Sequence, residues 1–141
     1  MLEHDNIPIM PCICGSMRRA TQKLKEFYDN ILAPSGVTAS QYSLLLHLSR
    51  MEGCCTGELA QAVRREKSTL VRNLAPLLKA GYIEDRSLQG SRTRQLHLSK
   101  EGHSVLEQAH PLWRQAQSDL LARLGGEDSK LREVLGVFEN L

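Results

Sequence analysis

Apolar residues recur along most of the chain at the three- to four-residue spacing of one helical face. The N-terminal run of this kind spans residues 15–32 and stops before Pro34 and Gly36, which break regular structure. Thr38 and Gln41 then form a capping-box pattern, in which each residue satisfies a backbone donor at the start of the next helix. The sequence therefore predicts one long helix and a second helix that begins after Thr38.

A third and a fourth helix are predicted before Gly81. Thr56 is expected to cap a short helix. The apolar period resumes over residues 67–80, and Gly81 is a residue type that commonly follows a helix. Pro76 lies inside this segment and lacks a backbone donor, so we expect a bend there. The two segments predict a short helix, a tight turn and a longer helix.

The period then changes from helical to alternating. Residues 82–84 and 92–98 are predicted as the two strands of a hairpin, with a glycine-containing turn over residues 88–91. Ser99 is expected to cap a long helix that ends near residue 124, and one further helix is predicted after it. The predicted fold class is mainly α with a small β-hairpin.

Composition agrees with helix-on-helix packing. The 141 residues are 41% apolar but include only one Trp, two Phe and three Tyr, so Leu and Ala form most of the core. A chain of this length buries a core without a disulfide framework. It fits one compact domain or one subunit of an intertwined dimer.

Charge is informative through its position rather than its sum. The net charge is only +2, yet many of the cations fall within one stretch of the chain. This concentration is typical of a nucleic-acid-binding surface, although a solvated basic face has the same signature. The cations in question are Arg64, Arg65, Lys67, Arg72, Arg86, Arg92 and Arg94.

The sequence carries no signal for export or membrane insertion. Residues 1–10 contain Glu3 and Asp5 in place of a basic segment followed by an apolar one, and no apolar stretch reaches membrane-spanning length. We therefore expect a cytoplasmic protein whose thiols stay reduced. Under that expectation the four cysteines are buried apolar residues, metal ligands or sensors.

The order of the elements predicts a helix-turn-helix that binds duplex DNA. A recognition helix reads base edges with its N-terminal residues, which point into the major groove. Arg binds guanine and Asn binds adenine in a bidentate manner, while Ser, Thr and Lys suit phosphates. The candidate contacts are Thr56, Arg64, Arg65, Lys67, Ser68, Thr69, Arg72 and Asn73.

The basic hairpin is a second element of the same kind. Arg92 and Arg94 are two residues apart, so on a strand they lie on one face. A narrow basic tip fits a minor groove. The helix-turn-helix and the hairpin together predict a winged helix-turn-helix.

Over residues 12–141 the sequence resembles the MarR (multiple antibiotic resistance) family of regulators. The resemblance rests on five short segments, each weak alone and specific together. They are Gly36-Val37-Thr38 leading to Gln41-Tyr42, Glu58-Leu59-Ala60, Lys67-Ser68-Thr69 with Arg72, Leu77 through Gly81-Tyr82-Ile83, and Leu98-Ser99-Lys100-Glu101-Gly102.

This resemblance implies a homodimeric transcriptional regulator, by family default a repressor, with one winged lobe in each protomer. Residues 1–35 and 100–141 would be dimerisation helices, and residues 36–99 would be the DNA-binding domain. Arg92 stands at the position of the family's wing-tip arginine. The sequence departs from the family at Gly90, where an acidic residue is usual, and at Arg64, where the turn usually has a glycine.

The resemblance also points to an input signal. Cys14, with Cys12 two residues before it, falls on the peroxidatic cysteine of the organic-hydroperoxide-sensing branch. Tyr28 falls on one of that branch's two cysteine-facing tyrosines, and Arg18 replaces the other. A helix N-terminus and nearby cations favour the reactive thiolate. The hypothesis is that oxidation of Cys14 releases the protein from DNA, with a resolving thiol other than Cys12, which is too close for an unstrained bridge.

Other inputs remain open at this point. Free cysteines are often simply buried apolar residues. Thiolates also bind zinc or copper(I), but neither Cys-x-Cys nor adjacent cysteines have the Cys-x-x-Cys spacing of structural zinc sites, so we predict no metal and no cofactor. A small aromatic effector between the first, second and fifth helices is a third input that the resemblance implies.

Two other classes of function compete with a DNA-binding regulator. The thiols are compatible with a peroxide-reducing enzyme, but the sequence has no phosphate-binding glycine loop, nucleophile elbow or paired zinc motif. A winged helix that binds only proteins is the second rival, and it would lack the steep salt dependence of DNA binding. We predict a regulator and not an enzyme.

Overall fold

The computed structural model describes residues 11–51 and 53–141. The acidic segment of residues 1–10, on which the absence of an export signal was argued, lies outside the described residues. The described part of the chain is mainly helical with one two-stranded hairpin, as predicted. The elements are α1 (Ile13–Leu32), a short 3₁₀ turn (Ala33–Ser35), α2 (Ala39–Ser49), α3 (Thr56–Val63), α4 (Lys67–Lys79), β1 (Ile83–Asp85), β2 (Leu96–Leu98), α5 (Lys100–Arg123) and α6 (Ser129–Glu139).

The capping box predicted for α2 is present. The Thr38 hydroxyl accepts a hydrogen bond from the Gln41 backbone N–H at 3.2 Å, and the Gln41 side-chain oxygen accepts one from the Thr38 backbone at 2.9 Å. Each bond satisfies a donor that the helix itself leaves unpaired. The start of α2 is therefore determined locally by these two residues.

The cap predicted for α3 is wrong by one residue. Cys55, not Thr56, is the N-cap, and its sulfur accepts a hydrogen bond from the backbone of Glu58 at 3.4 Å. The Glu58 carboxylate accepts the Cys55 backbone N–H at 3.0 Å in return. The reason for the error is that this capping box uses a thiol, whereas Thr56 has a more typical cap side chain but lies inside the helix.

Helix α4 continues through Pro76 to Lys79. Its buried face consists of Leu70, Leu74 and Leu77. Gly81 follows with a φ of 80°, a left-handed conformation that a residue without a Cβ adopts at little cost. The proline therefore removes one backbone donor without ending the helix.

The hairpin is shorter than predicted. Strands β1 and β2 are antiparallel, with Ile83 opposite Leu98 and Asp85 opposite Leu96. The predicted returning strand over residues 92–98 is strand only from Leu96, so Arg92 and Arg94 lie in an irregular loop. The reason is that hydrogen bonds to the Asp85 carboxylate hold the loop in place of a ladder, with backbone donors at Ser87 and Gln95.

One apolar core joins α2, α3, α4 and the hairpin. Leu45, Leu59, Leu70, Leu74 and Leu96 are each fully buried in it. Burying one such side chain contributes about 1.5–3 kcal/mol. The backbone of Leu96 also pairs with that of Cys54, which ties the hairpin to the segment before α3. The wing and the helix-turn-helix are therefore one packed unit.

The terminal helices α1, α5 and α6 are far less covered. Helix α1 buries only Leu32, and α6 buries no residue at all. Over the residues that the structure describes, no helix combines the length and the apolar character needed to cross a membrane.

Candidate DNA-binding interface

The turn between α3 and α4 is built around Arg64. Its φ of 54° and ψ of 49° are left-handed, which costs a residue with a side chain about 1–2 kcal/mol. The Arg65 backbone N–H donates to the Ala60 carbonyl at 3.0 Å and closes the end of α3. Arg64 thus adopts the left-handed conformation that a glycine, the residue usual here in the family that the sequence resembles, would adopt more easily.

The first two turns of α4 present the predicted polar residues away from the core. Lys67, Ser68 and Arg72 are exposed, whereas Thr69 and Asn73 are half-buried on the flank of the helix. The N-cap residue Glu66 makes no side-chain cap hydrogen bond. The first backbone amides of α4 therefore have no bond to a Glu66 side-chain cap, and amides at a helix N-terminus can bind phosphate.

The wing and the recognition helix form a common basic groove. A cavity of about 370 Å³ lies between the starts of α3 and α4 and the wing loop. Its lining residues are Cys55, Thr56, Gly57, Lys67, Val71, Arg92, Thr93 and Arg94. The structure thus brings Lys67, Arg92 and Arg94 together, although they are up to 27 positions apart in the sequence. We call this cavity the reading groove.

The remaining predicted contacts have different surroundings. Thr56 is only 8% exposed and forms part of the groove floor. The Arg65 guanidinium donates to the Ser40 hydroxyl at 3.4 Å, which ties the turn to α2. Arg64 lies 4.0 Å from the Glu139 carboxylate at the end of α6, and both side chains are exposed.

Asp85 supports the wing loop and was not among the residues that the sequence singled out. Hydrogen bonds from Ser87, and a further one from the Gln95 backbone, lower the pKa of the Asp85 carboxyl, and the charge of Arg94 acts in the same direction. The Asp85 carboxylate holds the wing loop at its base. The acidic residue that the family resemblance leads one to expect at position 90 is replaced by a glycine. The signal in the sequence was the Asp-x-Ser spacing, which is typical of an Asx turn.

The candidate sensing residues are at two separate places on α1. Cys12 is the exposed N-cap of α1, and Cys14 is exposed two residues later with the Arg18 guanidinium 3.7 Å from its sulfur. Tyr28 is 14 residues further along, about 21 Å at the helical rise per residue. Its hydroxyl bonds to Gln117 of α5, and burial raises its pKa. A single protomer therefore does not bring Tyr28 to Cys14.

The other two thiols belong to the helix-turn-helix. Cys54 is buried beside Leu96, and burial raises its pKa, with the Glu58 carboxylate and Cys55 adding to the effect. Cys55 caps α3 and lines the reading groove. Among residues 11–51 and 53–141, no three His, Cys, Asp or Glu side chains are grouped closely enough to hold a metal ion.

An apolar cavity lies between α1, α5 and α6. The aromatic effector was expected between α1, α2 and α5, so the cavity involves α6 in place of α2. It has a volume of about 410 Å³. Its lining includes Leu24, Tyr28, Leu120, Leu131 and Leu135. The hydrogen bond between Tyr28 and Gln117 is at its wall.

Known proteins are similar to this chain in sequence and in fold. The MarR family model matches residues 35–92. The HTH-type transcriptional regulator BilQ of Clostridium symbiosum (strain WAL-14163) is 29% identical over 105 residues, which are 74% of this chain and 73% of BilQ. The crystal structure of the M. tuberculosis transcriptional regulator MosR in complex with DNA is 31% identical, spans 92% of this chain and 96% of MosR, and superposes with a TM-score of 0.80.

A third relative shares the fold at lower identity. A mutant MarR from E. coli, complexed with operator DNA, is 22% identical over 89% of this chain and 92% of its own, with a TM-score of 0.76. The fold and the reading groove define a winged helix-turn-helix regulator. The chain belongs to the MarR family, and it is a transcriptional regulator rather than an enzyme.

Proposed function

We propose that the chain is a homodimeric cytoplasmic repressor that binds a near-palindromic operator and is released when Cys14 is oxidised. Residues 36–99 form its DNA-binding domain, and residues 1–35 and 100–141 form its dimerisation helices. The single observation that carries DNA binding is the reading groove, in which Lys67 of α4 and Arg92 and Arg94 of the wing line one cavity.

The assignment of DNA contacts follows from the two sides of this groove. Lys67, Ser68 and Arg72 stand at the exposed start of α4, where side chains enter the major groove. Arg92 and Arg94 stand on the wing loop, and a narrow basic loop suits a minor groove. Arg72 therefore reads a base edge, and Arg92 supplies a contact that is largely independent of sequence.

Dimerisation is supported by where the exposed apolar side chains lie. Among residues 11–51 and 53–141, all of the exposed large apolar side chains except Val71 and Leu88 are on α1, α5, α6 or the residues that follow these helices. Val137, for example, is 62% exposed on α6. Exposed apolar side chains grouped on the same helices are costly in water and favour a protein interface there. A second copy of the chain covers it and places two α4 helices in successive major grooves, about 10 base pairs apart.

Fluorescence anisotropy with duplex DNA from upstream of the chain's own gene tests DNA binding. We expect affinity to fall steeply, by about 10³-fold for six or more phosphate contacts, between 50 and 200 mM salt. Arg72→Ala should weaken binding and relax one base position, while Arg92→Ala should weaken binding to all sequences. Lys23→Ala removes an exposed charge from α1 and serves as the control. Binding of both groove variants at wild-type strength would refute the placement.

The release step is proposed to begin at the Cys14 thiolate. The thiolate attacks the terminal oxygen of an organic hydroperoxide, the O–O bond breaks, and the corresponding alcohol leaves after it takes up a proton. Cys14 is oxidised by two electrons to a sulfenic acid, and the peroxide is reduced. A second thiol then condenses with the sulfenic acid to a disulfide and releases water. The Arg18 guanidinium lies 3.7 Å from the sulfur that attacks.

The position of Cys14 explains how oxidation reaches the DNA-binding lobes. Cys14 is on the uncovered N-terminal part of α1, which we assign to the dimer interface. A change there alters the distance between the two lobes without touching the reading groove. Loss of the required spacing lowers affinity for an operator whose half-sites are fixed.

Single-cysteine variants test this switch. We expect cumene hydroperoxide to release DNA from the wild type, dithiothreitol to restore binding, and Cys14→Ser to keep its DNA under peroxide. Cys12→Ser is the matched thiol control, and mass spectrometry of the oxidised protein identifies the resolving thiol. Full release of Cys14→Ser by peroxide would refute Cys14 as the sensor.

A second candidate input is supported by the apolar cavity between α1, α5 and α6. A small aromatic molecule fits about 410 Å³, and the polar pair of Tyr28 and Gln117 would orient it. Titration of DNA-bound Cys14→Ser with phenolic compounds tests this input without interference from oxidation. Release that is lost in Gln117→Leu supports this site, and unchanged binding contradicts it.

A further inference from the structure

A second basic cavity lies on the side of the hairpin next to the end of α2 and the start of α5. It has a volume of about 520 Å³. Four of its lining residues carry cationic or titratable nitrogen: Arg86, His97, Lys100 and His103. The remaining lining residues are Leu48, Ser49, Met51 and Leu98. None of these eight residues lines the reading groove.

The four nitrogen-bearing side chains come from different elements. Arg86 follows β1, His97 is in β2, and Lys100 and His103 are three residues apart in the first turns of α5. Residues at this spacing share one helix face. The fold therefore brings two cations and two imidazoles to one cavity, and one of the cations, Arg86, is also paired with the Glu84 carboxylate.

The electrostatics of this cavity favour an anion. Lys100 is the first residue of α5, where a cation is unfavourable because the helix dipole is positive at that end. Lys100 and Arg86 are two cations that line one cavity, so they also repel one another. A bound anion relieves both costs at once.

Arg86 is held in place for such a role. Its Nε and Nη2 atoms donate to one oxygen of Glu84, at 3.1 and 3.0 Å. The guanidinium has five donors, so this pair fixes its orientation and leaves further donors for a ligand. A positioned guanidinium beside an ammonium group is suited to the several oxygens of a phosphate.

We propose that this cavity is a phosphate-binding site, separate from the reading groove, in which Arg86 and Lys100 hold the anion and His97 and His103 border it. The phosphate has two sources of the same chemistry: the backbone of bound DNA beyond the wing, or a free phosphate or phosphorylated metabolite. Only the DNA source rests on the proposed function.

The free source is tested with inorganic phosphate and pyrophosphate against chloride at equal ionic strength. We expect either anion to shift the imidazole NMR signals of His97 and His103. The double variant Arg86→Gln, Lys100→Gln should lower the affinity for the anion by about ten-fold or more, because two charge-assisted contacts are lost. Lys23→Gln combined with Arg114→Gln removes equal charge from exposed positions elsewhere and is the matched control.

The DNA source is tested with the same variants in phosphate-free buffer. If DNA fills the site, the Arg86 and Lys100 variant lowers the slope of log affinity against log salt by about one to two relative to the control. If a free anion fills it, the imidazole signals shift and DNA affinity matches that of the control. The proposal is overturned if phosphate shifts neither imidazole and the salt slope equals the control's. The experiment with inorganic phosphate does not require DNA binding. A protein that binds phosphate here but binds no DNA would therefore contradict the proposed function and not the phosphate site.

Discussion

The Tyr42 hydroxyl lies 2.7 Å from Nδ1 of His110, and this hydrogen bond joins α2 of the DNA-binding unit to the middle of α5. Trp113, one turn further along α5, stacks on the Tyr42 ring with centroids 5.6 Å apart. Tyr42 is only 2% exposed, so its polar group is buried within the contact. The two residues thus connect the lobe that holds the reading groove to the helix that we assign to dimerisation.

Tyr42→Phe should therefore weaken the connection between α2 and α5. The change leaves the stacking in place and removes one hydrogen bond, which corresponds to about 1 kcal/mol of unfolding free energy. Urea unfolding measures this loss. Tyr82→Phe is the control, because the Tyr82 hydroxyl has no hydrogen bond within the part of the chain that the structure describes. Equal stability of Tyr42→Phe and the wild type would show that the contact contributes nothing.

Arg64→Gly should stabilise the protein while it weakens DNA binding. A glycine adopts the left-handed conformation without the cost that Arg64 carries, so the free energy of unfolding should rise by about 1 kcal/mol. The greater conformational freedom of glycine in the unfolded chain offsets part of this gain. Arg65→Gly is the comparison variant: it removes the same charge where the backbone is not left-handed, and it should destabilise because it also loses the hydrogen bond to Ser40. Thermal unfolding distinguishes the two variants, and a lower midpoint for Arg64→Gly would contradict the strain that its φ implies.

Asp85 should make the wing sensitive to acid. Its pKa is lowered in the folded state by the hydrogen bonds from Ser87 and Gln95, so it contributes stability that is present above its unfolded pKa of about 3.9. That contribution is lost as the pH falls through the lower, folded pKa. Asp85→Asn should then be less stable than the wild type at pH 7, and the difference should shrink below about pH 4.

The check is urea unfolding of both proteins across this pH range. Asp119→Asn, an exposed change on α5, is the control for the removal of one carboxylate. A difference between Asp85→Asn and the wild type that stays constant down to the lowest pH would contradict the role of the hydrogen bonds.

Gly102 allows α5 to approach the hairpin. A Cβ at this position would overlap the backbone carbonyl of Tyr82, which cannot move aside as a side chain would. Gly102→Ala should therefore destabilise the protein by about 1–3 kcal/mol, the usual range for overpacking. Gly136→Ala on α6 is the matched control, because a Cβ there meets nothing within 4 Å. Alanine should stabilise that helix by about 0.5–1 kcal/mol, and destabilisation of both variants alike would contradict the steric reason.

Helix periodicity was sufficient to predict most of the fold. The buried leucines of α4 recur at helical spacing, and Thr38 with Gln41 fixes the start of α2 by contacts within four residues. The loop before β2 was mispredicted because alternation was read through Arg92 and Arg94, whereas the Asp85 carboxylate folds that segment into irregular structure. Hydrogen bonds between residues ten apart leave no periodic signal.

The candidate site was predictable in its residue types but not in its geometry. Lys67 and Arg92 were both named from the sequence, yet only folding shows that they line one cavity. The cap at Cys55 was missed because a thiol is an unusual acceptor at that position. The second basic cavity has no sequence motif, because its lining residues come from the end of α2, the loop after β1, β2 and the start of α5, and the packing of these segments brings them together.

The uncovered apolar face of α6 gives the sharpest prediction about assembly. Val134 and Val137 are exposed on a helix that buries no residue within its own protomer. Val134→Glu places a charge at the centre of the surface that we assign to dimerisation, where an unpaired charge is costly. Analytical ultracentrifugation should show a dimer for the wild type and a monomer for Val134→Glu, with DNA affinity reduced because only one half-site is engaged.

Leu88→Glu, at an 85% exposed position of the wing loop, is the matched control and should remain dimeric while it weakens DNA binding by repulsion. A Val134→Glu variant that stays dimeric would remove α6 from the interface and leave the uncovered parts of α1 and α5 to carry it.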